Sequence, residues 1–157
     1  MLIKDIIDED FVNYKKPVMV IAFPYCSFKC DKENGCQLCQ NALLAKQPSI
    51  DVPVTKIIER YKNNPISKGI VLAGLEPLDS YGDVIDLIVE FRTKFQDPVI
   101  IYTGYTEQEA AAYVDGLKQF TNIIVKFGRF RPDQPHHVDE LLGVELVNPE
   151  QYAKKIS

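Results

Sequence analysis

Every cysteine of the chain lies in the stretch CSFKCDKENGCQLCQN, between Cys26 and Asn41, with the spacing Cys26-x3-Cys30-x5-Cys36-x2-Cys39. Thiols gathered this closely serve a structural zinc, a redox dithiol or an iron–sulfur cluster. A structural zinc favours two close ligand pairs held apart by a longer segment. Cys36 and Cys39 make such a pair, whereas Cys26 and Cys30 are looser and the gap between the pairs is short. A redox pair at Cys36 and Cys39 leaves two cysteines without a role. Three of the four thiols suffice for three irons of a [4Fe–4S] cube, leaving the fourth iron open to a ligand. On spacing alone, zinc and cluster carry comparable weight.

The whole chain narrows the setting of this chemistry. Its 157 residues are 46% apolar and 25% charged, as expected of one globular domain that buries its core without disulfide staples. A net charge of −4 argues against a nucleic-acid or anionic-membrane partner, which calls for a broad basic surface. The start, MLIKDIIDED, has no apolar core of signal-peptide length, and the longest apolar run, VMVIAF, is too short to span a bilayer. The expected compartment is the cytoplasm, where thiols stay reduced and clustered cysteines bind metal more often than they pair.

The elements that must position the loop alternate in type. Pro17–Phe23, Gly69–Gly74, Pro98–Tyr102 and Asn122–Phe127 are predominantly apolar and rich in β-branched residues, which predicts buried strands. Helical spacing separates them: Val54, Ile57, Ile58 and Tyr61; then Val84, Leu87, Ile88, Phe91 and Phe95; then Ala110, Val114 and Leu117. Ser80 with Asp83, and Thr106 with Glu109, read as capping boxes. Gly143–Val147 reads as a fifth strand, and NPEQYAKKI as a short terminal helix capped by Asn148. No repeat or linker marks a second domain. The expected fold class is therefore α/β, a parallel sheet covered by helices.

Chemistry-bearing residues fall just past the strand ends: the cysteine loop after the first, GLEP after the second, TGYT after the third and GRF after the fourth. Parallel α/β folds bind their ligands at that rim.

Taken in order, these segments resemble the radical S-adenosylmethionine (SAM) enzymes, and among them the activating protein of the anaerobic ribonucleotide reductase. That family's C-x3-C-x2-C motif, commonly closed by Cys-x-Asn, is similar to Cys26-x3-Cys30 followed by Cys39-Gln40-Asn41. AGLEP (Ala73–Pro77) resembles the superfamily's G-G-E-P, with Leu75 in place of the second glycine. YTGYTEQE (Tyr102–Glu109), GRF (Gly128–Phe130) and DFVN (Asp10–Asn13) resemble stretches of the reductase activators. The likeness spans residues 10 to 131, and NPEQ is a loose echo of that family's terminal polar motif. By this register Cys39 is the third ligand and Lys32–Gln37 is an insertion carrying Cys36. Because the x2 spacing is broken, Cys36 is the alternative third ligand.

The resemblance implies an incomplete parallel β/α barrel of the radical SAM type as a single domain, residues 1–157. It implies a [4Fe–4S] cluster on Cys26, Cys30 and Cys39, with SAM on the open iron. Leu38 would pack near the adenine, and Asn41 would close the cysteine motif at the cofactor. The backbone of Gly74, Leu75 and Glu76 would meet the SAM ammonium, with Gly74 allowing close approach, and Thr103 and Gly104 would form the facing wall. Arg129 would pair with the SAM carboxylate or stand as a surface charge beside Lys126 and Arg131. No side chain is assigned as a catalyst, since the radical arises on the cofactor. The implied partners are the reductase's catalytic subunit and a flavodoxin- or ferredoxin-like reductant. Two other readings stay open: a radical SAM enzyme acting on a small molecule or another peptide, and a non-catalytic module stapled by zinc. His136 and His137, in a proline-rich loop, receive no role.

Overall fold

The structure is a computed structural model describing residues 1–157. Its strands are β1 (Leu2–Ile3), β2 (Asp5–Asp10), β3 (Val18–Phe23), β4 (Ile50–Asp51), β5 (Ile70–Gly74), β6 (Val99–Tyr102), β7 (Ile123–Phe127), β8 (His137–Asp139), β9 (Val144–Leu146) and β10 (Tyr152–Lys155). The helices are α1 (Lys29–Asn34), α2 (Ala42–Lys46), α3 (Val54–Lys62), α4 (Tyr81–Arg92) and α5 (Ala111–Leu117), with a 3-10 turn at Pro77–Ser80. One six-stranded sheet in the order β10-β7-β6-β5-β3-β2 organises the chain. β3, β5, β6 and β7 are mutually parallel, as their predominantly apolar runs predict.

Two antiparallel strands, β2 and β10, flank that core, and neither reads as a strand in the sequence. NPEQYAKKI does not form the expected helix. Tyr152–Lys155 pairs with β7 instead, because the backbone of that sheet edge is there to be satisfied. Gly143–Val147 does not join the main sheet either: Val144–Leu146 makes a small hairpin with β8. Ser80 does not cap α4. The 3-10 turn precedes that helix, and the Glu76 carboxylate caps the turn by accepting from Leu78 N–H at 3.1 Å. The Thr106–Glu109 box does form, although α5 itself begins only at Ala111.

The two faces of the sheet differ. Met19, Ile21, Phe23, Ile70, Leu72, Ile101 and Val125 point toward α3, α4 and α5 and pack with Ile58, Leu87, Phe91 and Leu117 in the main core. Tyr61 stands edge-on to Phe91 and Phe95, at centroid distances of 4.9 Å to each, a geometry worth about 0.5–1.5 kcal/mol beyond area burial. On the other face, Val18, Val20, Val71, Ile100 and Ile124 are covered by Tyr14, Leu142 and Leu146. That cover reaches only the N-terminal part of the strands. Nearer their C-terminal ends the same face carries Ala22, Ala73, Tyr102 and Lys126, and a cavity opens there. Small side chains at Ala22 and Ala73 leave the room for it.

Candidate metal centre

β3 ends at Phe23, and the cysteine loop follows. Phe28, at φ 52°, turns the chain into α1, and Gly35, at φ 69°, ends that helix. Cys30 and Asp31 sit on α1. The Asp31 carboxylate accepts the N–H groups of Leu38 and Cys39, each at 2.9 Å. This Asp-anchored closure leaves residues 32–37, the end of α1 and the turn after it, exposed and returns Cys39 to the rim despite the broken spacing. Cys36 is exposed there.

Cys26, Cys30 and Cys39 line one cavity of about 330 Å³, and Cys36 does not reach it. Two of the three sulfurs accept a backbone N–H: Cys26 from Phe28 at 3.2 Å and Cys30 from Phe130 at 3.3 Å. Such bonds favour thiolate over thiol and tune a cluster held there. Burial acts the other way, pushing the Cys26 thiol up to about 12 and raising that of Cys39. At Cys26 and Cys39 a bound cation would offset that effect of burial. Nowhere do three Cys, His, Asp or Glu side chains converge tightly enough for a single ion. Zinc needs four donors within roughly 2.3 Å of one centre, whereas a cube spreads its thiolates over separate iron corners. The donor set fits the cube.

The GLEP and TGYT loops are bolted together by Glu76. Its buried carboxylate accepts from Gly104 N–H at 2.8 Å as well as from Leu78. Burial raises its pKa, and these donors oppose that rise. Asp79 ties in the cysteine loop, accepting from Ser27 N–H at 2.6 Å and from the Tyr105 hydroxyl. The Asn41 amide donates to the carbonyl of Gly74, so the third-cysteine segment is joined to the end of β5. Gly74 itself has an internal reason to be glycine. Its φ is 89°, and a Cβ there would meet the Ala22 Cα at 2.8 Å, on the β3 side. At Gly104 a Cβ would lie 3.5 Å from the Cys30 sulfur.

Of the residues expected at a cofactor, Asn41, Gly74, Leu75, Glu76, Thr103 and Gly104 line the cavity with the three thiols. Leu38 and Arg129 do not. Leu38 is half-buried in the Asp31 closure. Arg129 is buried, but its guanidinium bonds Glu33 at 2.8 Å, Glu109 at 2.7 Å and the Gly104 carbonyl. Burial opposes its charge, and the two carboxylates outweigh that and hold its pKa above the ordinary value. Neither earlier reading of Arg129 describes this. It is a buried, neutralised strut between α1, the TGYT loop and GRF, and its counter-ions come from distant segments. A second cleft, of about 380 Å³, lies on this side among Glu33, Glu109, Glu150 and Arg131. No thiol reaches it.

The cation that faces the thiols is Lys126, which lines the cavity beside them. It is only 6% exposed, and burial pushes its ammonium down to about 8. A lone lysine within an otherwise apolar parallel strand was the available signal for it. The sequence also undervalued Asn148 and Gln151. Both are buried, and their amides donate to the Arg129 carbonyl at 2.8 and 3.1 Å. They pin the loop whose Phe130 N–H serves Cys30.

Residues 17–145 match a protein family described as the 4Fe-4S single cluster domain. The match covers more than half of the chain and takes in the four parallel strands and the whole cysteine loop. The chain belongs to the 4Fe-4S single cluster domain family. No curated protein matches it. No helix is long and apolar enough to cross a membrane.

Proposed function

We propose that the chain is a radical SAM enzyme, and within that class an activating protein that installs a glycyl radical on an anaerobic ribonucleotide reductase. One observation carries the reading. Three thiols, not four, line the cavity, and the GLEP and TGYT segments share its wall with them. That is the arrangement required by a cluster with one iron left for a non-protein ligand.

Cys26, Cys30 and Cys39 would hold the cluster, the first two sulfurs supported by backbone amides. The segments Gly74–Glu76 and Thr103–Gly104, fixed by Glu76, would form the wall against which SAM is oriented and water excluded. Four parallel strands, with helices on one face and the cavity on the other, support an incomplete β/α barrel. Ile7 lines the cavity and is 46% exposed, and Tyr25, beside the first cysteine, is 53% exposed; an open apolar rim suits a protein loop as substrate. Held by Cys26, Cys30 and Cys39, the cluster would supply the one-electron reduction that SAM cleavage and hydrogen abstraction from a glycine of the reductase require, with a flavodoxin- or ferredoxin-like protein as the electron source.

The test is a SAM-cleavage assay on oxygen-free protein with a low-potential reductant, with and without the reductase. The expected result is 5′-deoxyadenosine formation and a glycyl radical signal on the partner. Cleavage indifferent to the reductase, with no radical on it, would point to another substrate. No cleavage at all would remove the class.

A further inference from the structure

Lys126 is the only lysine among the buried residues, and it lacks a matching charge. It leaves β7 on the face turned away from the helices and shares the cavity with Cys26, Cys30 and Cys39. An ammonium has three donors; the acceptor it reaches is the Gly128 carbonyl, at 3.3 Å. Beside it lies the Tyr102 ring, 5.9 Å to the centroid. The carboxylates of Asp5 and Glu76 line the same cavity, and neither forms an ion pair with Lys126. Glu76 is already engaged by the N–H groups of Gly104 and Leu78.

Arg129, also buried and a few residues on, shows the alternative. Two carboxylates neutralise it in place. A buried charge without such partners is strongly unfavourable, so its counter-charge is something the cavity takes up. Three thiolates make a bound cluster anionic, and accepting an electron adds one more negative charge. A fixed positive charge nearby, in a medium of low dielectric, favours the reduced state most.

We propose that Lys126 is the built-in counter-charge of the cluster, raising its reduction potential and helping to retain it. The inference rests on the chain's membership of a 4Fe-4S family and on the three cavity thiols as ligands. It does not require SAM cleavage.

The full chain, reconstituted without oxygen and without SAM, would be titrated potentiometrically as wild type, Lys126→Met, Lys126→Arg and Lys126→Gln. The cluster would be followed by its EPR signal. The expected result is a lower midpoint potential in Lys126→Met and Lys126→Gln, faster iron loss to a chelator, and near wild-type values in Lys126→Arg. Having both neutral variants keeps the comparison open should one fail to fold. Brown neutral variants with an unchanged potential would overturn the proposal. If SAM affinity alone fell in them, the lysine would be a ligand-binding group instead. A wild type that takes up no iron would sink the family-based premise, and this inference with it.

Discussion

The backbone N–H of Phe130 donates to the sulfur of Cys30 across 3.3 Å, although the two residues are 100 positions apart. The bond depends on a loop held from behind. Gly128, at φ 103°, passes so close to the last segment that a Cβ would meet the Glu150 carbonyl at 2.7 Å. Asn148 and Gln151 then grip the Arg129 carbonyl. The electronic surroundings of a thiolate near the start of the fold are thus set by residues near its end.

Replacing Asn148 and Gln151 together by alanine should therefore do two things. Leaving a buried carbonyl unsatisfied costs about 1–3 kcal/mol, so the variant should melt at a lower temperature. Loss of the N–H bond from the Cys30 sulfur should also lower the potential of a cluster held there. Thermal unfolding and a redox titration read these separately. Lower stability with an unchanged potential would reduce the pair to a structural clamp.

The four thiols should divide three to one. Serine at Cys26, Cys30 or Cys39 should abolish or sharply lower cluster content, and serine at Cys36 should leave it intact, because only the first three line the cavity. Iron, acid-labile sulfide and visible absorbance of oxygen-free protein measure this. Loss of iron on changing Cys36 alone would reverse the assignment. Colourless protein carrying one zinc would favour the stapled module.

Asp31 offers a test that touches no ligand. Its carboxylate draws in the amides of Leu38 and Cys39, and charge-assisted bonds of this kind are the stronger ones. Asp31→Ala should free the exposed segment and lower iron retention with all four cysteines present. Asp31→Asn, which keeps an acceptor oxygen, should recover part of it. Equal retention in all three proteins would show that the closure does not position Cys39.

Acid should weaken the Arg129 strut. The hydrogen bond from Arg129 holds the Glu109 carboxyl well below its ordinary value of 4.5, against the opposing effect of burial. A carboxylate depressed in the folded state stabilises fully above that ordinary value, and loses its contribution as pH falls toward the folded one. The difference in Tm between wild type and Glu109→Gln should stay level from about pH 7 to about pH 5 and shrink below that. A gap that widens on acidification would contradict the pairing.

Local sequence determined a good deal here. Strands buried on both faces must be predominantly apolar, so β3, β5, β6 and β7 stand out as runs. Helices buried on one face repeat their apolar residues at helical spacing, as Ile57, Ile58 and Tyr61 do. The crowding of thiols into one loop, and the placement of GLEP, TGYT and GRF just past strand ends, marked the rim as the site. The edge strands carry no such mark. DIIDED is half-exposed and acidic, YAKK is mostly exposed, and both are held by backbone bonds to partners chosen in space.

Tertiary structure alone decided which groups face the thiols. Arg129 and Lys126 are both cations in or beside the fourth strand, and nothing in their spacing says which is neutralised. Glu33 and Glu109, from other segments, reach the first, and the pleat of β7 turns the second into the cavity. Whether Cys36 or Cys39 belongs to the cavity likewise follows from a carboxylate at Asp31 closing a loop. Periodicity records burial, which is a local average over neighbours. Charge pairing and sulfur hydrogen bonding depend on individual atoms from distant segments meeting within about 3 Å, and the folded chain alone brings them together.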